Sequence, residues 1–145
     1  MLEENKVLIR RLHDGINRRD AKAAAALYAV DTVNHGHVVG RKGMQEIFET
    51  LFETFPDFSY RILELTAEDD RVVCKVMMSG THLGEPTVRN TAFGGMLKGV
   101  KPTGRKVECL QFHSFRVRGS EIVEHAAVRD DLGMLTHLGV VEPPA

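Results

Sequence analysis

The chain has 145 residues and a formal charge of −1, from 19 lysines and arginines against 20 aspartates and glutamates. That length suits a single domain, 1–145, with a core of its own, and the balanced charge offers no broad basic field for nucleic acid. No apolar run approaches the roughly 20 residues of a membrane span, and Met1-Leu2-Glu3-Glu4-Asn5-Lys6 lacks the basic-then-apolar order of a signal peptide. A cytoplasmic protein is expected, with neither nucleic acid nor membrane as partner. Its two cysteines, Cys74 and Cys109, fall in strand patterns and are expected to be reduced, buried and structural.

In chain order, Leu8, Leu12 and Ile16 recur every four residues and predict an N-terminal helix. Asp20 is suited to cap a second helix, Ala21 to Tyr28, whose alanines allow close packing. Val30 to Gly40 combines strand formers with glycine and reads as a short strand and loop. Met44, Ile47, Phe48, Leu51, Phe52 and Phe55 follow the helical template over Lys42 to Phe55, and Pro56 ends that helix.

The period then changes to two. Phe58, Tyr60 and Ile62 alternate, and Leu63 and Leu65 fall out of phase, which predicts a bulge. After the charged turn Glu68 to Arg71, the residues Val72, Cys74, Val76, Met78, Gly80 and His82 alternate. Leu83 to Lys106 is rich in glycine and reads as a lid or a hidden element. Its Phe93, Met96, Leu97 and Val100 are placed to close over an apolar ligand.

The last hairpin carries the chemistry. Val107 to Val117 and Ile122 to Asp130 alternate, with Gly119 and Ser120 as the turn and Arg118 opposite Glu121. Counting back pairs His113 with Ala126, Gln111 with Val128 and Cys109 with Asp130. This places Gln111, His113 and Asp130 on one face, with Cys109 and Phe115 beside them. Polar groups on an apolar face are costly unless they meet each other or a ligand. The same count turns Glu124 inward, toward His113 or an arginine. His13, His125 and His137 are expected to be solvated or at an interface. A short helix with Gly139 at its C-terminal cap follows, then a loosely held tail from Val140. Helices first and hairpins later define an α+β class, with helices on one face of a curved antiparallel sheet. Leu110, Phe112, Val123 and Ala127 make the other face partly apolar, which predicts a homodimer through the sheet. The spacing of His35, His37 and His82 fits no zinc template, so no metal is expected.

Several segments together resemble the SnoaL-like polyketide cyclases and predicted ester cyclases of the nuclear-transport-factor-2-like cone. They are Asn17; Asn34-His35-Gly36; Gly80 to Glu85; Pro102 to Arg105; Gln111-Phe112-His113; Ile122 to His125; and Asp130 to Gly139. The resemblance implies a cone-shaped α+β barrel. It also implies a cofactor-free aldol condensation that closes a ring in a polyketide-type ester, with Asp130 as general acid/base and Gln111 and His113 orienting substrate. Desolvation on an apolar face would raise the pKa of such an aspartate toward neutrality. Asn34, His35, His82, Cys109 and Phe115 are the expected substrate-binding residues, and an apolar, aromatic polyketide the expected ligand. Many relatives carry tryptophan where this chain has Ala126, so the substrate does not carry over directly. A non-catalytic dimeric binding domain is the alternative, as is an isomerase or hydrolase using the same cavity.

Overall fold

The computed structural model describes residues 1–86, 96–143 and 145. Helix α1 (Leu2–Asn17) buries Leu8, Ile9, Leu12 and Ile16, so the four-residue spacing does form its core face. Helix α2 (Ala21–Ala25) is capped by Asp20, whose side chain accepts from the Ala23 N–H at 3.0 Å. A Cβ on Gly15 would lie 3.4 Å from Ala24, which shows how closely the alanine helix packs on α1. This helix ends before the predicted Tyr28, because the Ile122 N–H donates to Leu27 O at 2.9 Å and draws Tyr28 into the sheet.

Strands β1 (Tyr28–Asn34) and β2 (His37–Val38) form a small hairpin, followed by helix α3 (Gly40–Thr54). Strands β3 (Ser59–Glu68), β4 (Arg71–Thr81), β5 (Lys106–Arg118) and β6 (Glu121–Arg129) follow, and helix α4 (Asp131–His137) closes the chain. The predicted bulge lies in β3, where the register shifts between Ile62 and Glu64. Val72, Cys74, Val76 and Met78 all face the core from β4. Both cysteines are free and buried. Among the described residues no helix is long and apolar enough to cross a membrane.

The six strands run β2-β1-β6-β5-β4-β3 in one open, curved sheet, and the helices cover its concave face. The architecture is the expected α+β cone with one correction. The sheet is mixed, because β1 runs parallel to β6 while the other neighbours are antiparallel. The tertiary clip between helix and sheet is Asn17. Its Nδ2 donates to Tyr60 O at 2.9 Å, and its Oδ1 accepts from the Tyr60 N–H at 2.7 Å. The side chain thus mimics a strand partner at the start of β3.

The β5–β6 hairpin corrects the simple count. Gly119 and Ser120 have φ of 53° and 64°, and Arg118 pairs with Glu121 as expected. The register then slips, since Val117 pairs with Ile122 but Arg116 pairs with Glu124. Val123 is therefore a bulge, and every later β6 side chain changes face. The reason is electrostatic. Without the bulge Glu124 would enter the core, whereas with it Glu124 lies outside, 3.3 Å from Arg116 and 3.8 Å from Arg71. His113 now faces Ala127 and Gln111 faces Arg129. Ala127 is thus inside, and the outer apolar patch consists of Phe112, Val128 and Val73 rather than Val123 and Ala127.

Of the predicted lid residues, Phe93 lies outside the described residues. Leu97 is buried in the core and Met96 packs against it, so neither lines the cavity. Helix α4 ends as predicted, with Gly139 at φ 76°. The Gly139 and Val140 N–H groups donate back to Thr136 and Leu135 carbonyls, each at 3.0 Å.

Replacing Asn17 with alanine removes both bonds to Tyr60 and should destabilise the fold by about 1–3 kcal/mol. Urea unfolding of the variant checks this, and an unchanged midpoint would contradict it.

Candidate active site

Between α1, α3 and the concave sheet lies a cavity of about 510 Å³. Leu12 and Ile16 of α1, Met44, Ile47 and Phe48 of α3, and Phe115 of β5 make most of it apolar. One wall is polar, and it is continuous. Tyr60 O–H donates to Gln111 Oε1 at 3.2 Å, and His113 Nε2 meets the same oxygen at 2.8 Å. His113 Nδ1 meets His125 Nε2 at 2.8 Å, and His125 Nδ1 meets Asn34 Oδ1 at 2.7 Å.

The backbone explains the convergence. Gln111 and His113 sit two residues apart on β5 and share a face. The Val123 bulge turns His125 to that face, and the β1–β6 register places Asn34 beside His125. Gln111 is fully buried, and its Nε2 has no hydrogen-bond partner among the described residues. An unpaired buried donor in a cavity wall is a natural ligand contact.

The lining is rich in basic side chains. It holds His13, His35, His37, His113, His125 and Arg129, and among the described residues it holds no carboxylate. Arg129 is held by Asp131, with contacts at 3.0 and 3.3 Å. Burial, first, and the neighbouring positive groups hold His113 well below its ordinary value. Burial and the nearby His35, His13 and Arg129 push His125 down to about 3. Burial also lowers His13, whose Nδ1–H donates to Ile9 O at 2.8 Å.

The structure brings together five residues of the expected site: Gln111, His113, Asn34, His35 and Phe115 all line the cavity. It separates the others. Asp130 is exposed, and its carboxylate accepts from the Gly133 N–H at 3.0 Å as the N-cap of α4. The face shared by Asp130, Gln111 and His113 existed only in the bulge-free register. Cys109 is buried outside the lining, with its thiol 3.5 Å from Asp130 O. His82 is buried against Phe55, and its Nδ1 accepts from the Thr103 N–H at 3.2 Å, which ties the 80–85 and 102–105 segments together. His125 and His13, expected at the surface, are cavity residues instead. Glu124 meets arginines, but on the outside. The sequence signal for a different register was Glu124 itself, a carboxylate turned onto an apolar face. Among the described residues no three of His, Cys, Asp and Glu converge to hold a metal ion.

A cone of this shape with a partly polar cavity is a small-molecule fold. The model of the SnoaL-like polyketide cyclases matches residues 6–138, and the chain belongs to that family. No curated protein matches it. Among solved structures it is similar to AclR, a proposed hydroxylase from Streptomyces galilaeus. The TM-score is 0.81 at 25% identity, over 100% of this chain and 87% of that one. It is also similar to IdmH, a proposed polyketide cyclase from Streptomyces antibioticus, with a TM-score of 0.75 at 27% identity over 93% and 98% of the two chains. A SnoaL-like protein from Jannaschia shares the fold, with a TM-score of 0.77 at 21% identity over 98% and 94% of the two chains.

The buried rings also predict acid lability. They stay neutral in the folded protein, whereas an unfolded chain protonates histidine near 6.5. Their contribution to stability is therefore complete above about pH 6.5 and is lost as pH falls toward the low folded values. Melting temperature should fall with acid more steeply in the native protein than in His113→Gln/His125→Gln. Equal slopes would contradict this.

Proposed function

We propose that this protein is a cofactor-free cyclase that closes a ring in a polyketide-type substrate by an aldol step. The observation that carries this reading is the polar strip from Tyr60 through Gln111 and His113 to Asn34, set in an otherwise apolar cavity. A flat, apolar polyketide fits such walls. A carbonyl oxygen would turn to Gln111 Nε2, the unpaired donor at the cavity wall, with His113 beside it. Aldol closure removes a proton from a carbon flanked by carbonyls. The carbanion attacks a second carbonyl of the same molecule, and the new alkoxide takes a proton. Donors preorganised at the oxygens where charge develops lower both barriers.

We assign the proton-handling role to His113 rather than Asp130, since Asp130 caps α4 outside the cavity. Turnover of an anthraquinone-type β-keto ester tests this. His113→Ala or Gln111→Ala should lower it by roughly 10²–10⁴-fold, the scale of lost acid–base and oxyanion assistance. Asp130→Asn keeps the capping oxygen and should leave turnover near native. Loss of turnover in a folded Asp130→Asn would reinstate the aspartate as base.

The absence of a carboxylate from the described lining favours one second reading, a binding domain that holds the same ligand without turnover. Unchanged ligand recovered after tight binding would mark it. A product heavier by one oxygen would instead align this chain with the hydroxylase proposed for AclR.

We further propose a cytoplasmic homodimer. The two free, buried thiols support a reducing compartment. Phe112 and Val128 are direct partners on the outer sheet face and are 46% and 77% exposed. With Val73 alongside, they form a patch that a second copy would cover. Val128→Lys should shift the protein from dimer to monomer in sedimentation velocity, and a monomeric native protein would contradict the dimer.

A further inference from the structure

The His113–His125 contact fixes a proton count. The two ring planes are 25° apart with centroids 5.1 Å apart. That is the geometry of an in-plane N···N hydrogen bond between imidazoles. The pair is flanked by carbonyl oxygens at both ends, Asn34 Oδ1 at 2.7 Å and Gln111 Oε1 at 2.8 Å. Tyr60 O–H donates to that same Gln111 oxygen, which fits a carbonyl there.

Three contacts in a row therefore each need one proton: Asn34 to His125, His125 to His113, and His113 to Gln111. Two neutral imidazoles carry only two. With Asn34 presenting Oδ1 to His125, two protons leave one contact with a lone pair against a lone pair. With three, every contact is complete, and the pair carries one positive charge shared over two rings. Burial opposes that charge in an empty cavity. An anion in the cavity would offset it. The other groups facing the pair are basic or neutral: His13 from α1, Tyr60 from β3, His35 from the β1–β2 turn, and Arg129, which Asp131 holds at the rim.

We propose that the cavity selects ligands with an acidic enol or phenol, binds them as the anion, and stores the released proton on the His113–His125 pair. The proposal rests on the reading of the cavity as a polyketide site and names the substrate class it takes, a flat 1,3-dicarbonyl or hydroxyarene. In the exchange the ligand O–H bond breaks, its electron pair stays on oxygen, and the proton becomes the third proton of the pair. For a cyclase this supplies the enolate and keeps its proton available for the alkoxide that follows.

The test uses 1,2-dihydroxyanthraquinone (alizarin), whose neutral and anionic forms differ in colour, at a pH where the free dye is neutral. The bound dye should show the anion spectrum. Calorimetry in buffers of different ionisation enthalpy should show no net proton release, because the proton stays on the protein. His125→Gln removes the second ring and should bind the dye in its neutral form. A neutral spectrum on the native protein would overturn the proposal. So would an anion spectrum that survives His125→Gln, which would place the charge on Arg129 alone. Failure of the dye to bind would overturn the cavity reading beneath it. The pair itself is tested with the dye bound by a 15N–15N coupling between His113 Nδ1 and His125 Nε2. Its absence from the complex would overturn the shared proton.

Discussion

The carboxylate of Glu124 has no acceptable place inside the sheet, and much of the site depends on that. A charge buried on the concave face would cost several kcal/mol without a partner. The extra residue Val123 moves Glu124 to the outer face, between Arg116 and Arg71. The same shift turns His125, Ala127 and Arg129 inward. It therefore assembles the polar wall, puts His125 rather than a carboxylate opposite Phe115, and leaves Asp130 to cap α4. Bulges of this kind re-aim side chains beside functional sites.

The polar wall is also a structural commitment. Two amides, two imidazoles and a phenol are buried together, and each would be costly alone. Each meets a neighbour, apart from the Gln111 Nε2 that lacks a partner among the described residues. Such networks fix one arrangement of a core when they are complete. Here the chain links four strands, since Asn34 lies on β1, His125 on β6, Gln111 and His113 on β5, and Tyr60 on β3. Asn17 fastens α1 to the backbone of Tyr60 from the other side. The cavity wall and the frame that holds it are therefore one connected structure, and this is what preorganises donors for a ligand.

Much of the fold was legible because its signals are local. The periodicity of α1 and α3, the β3 bulge, the alternation of β4, the Gly119-Ser120 turn and the Gly139 cap all follow from neighbouring residues. The segments that carry the family resemblance span nearly the whole chain, and the family match over residues 6–138 agrees with them. The parallel β1–β6 pairing was not legible, because it joins residues about ninety positions apart in sequence, Asn34 with His125. The site was legible on β5, where Gln111, His113 and Phe115 needed only alternation. It failed on β6, where one unrecognised residue inverted every assignment from Glu124 to Asp130. His13 was missed for a different reason. Its position on α1 adjoins Leu12, at the edge of the apolar stripe, and only the packed sheet turns that edge into a cavity wall.

A crystal structure with a bound aromatic 1,3-dicarbonyl would test the central claim most directly. The ligand is expected between α1, α3 and the sheet, with an oxygen within hydrogen-bond distance of Gln111 Nε2 beside His113, and Asp130 still on the Gly133 N–H. Ligand oxygens on Asp130, or a ligand seated away from the His113–His125 wall, would contradict it.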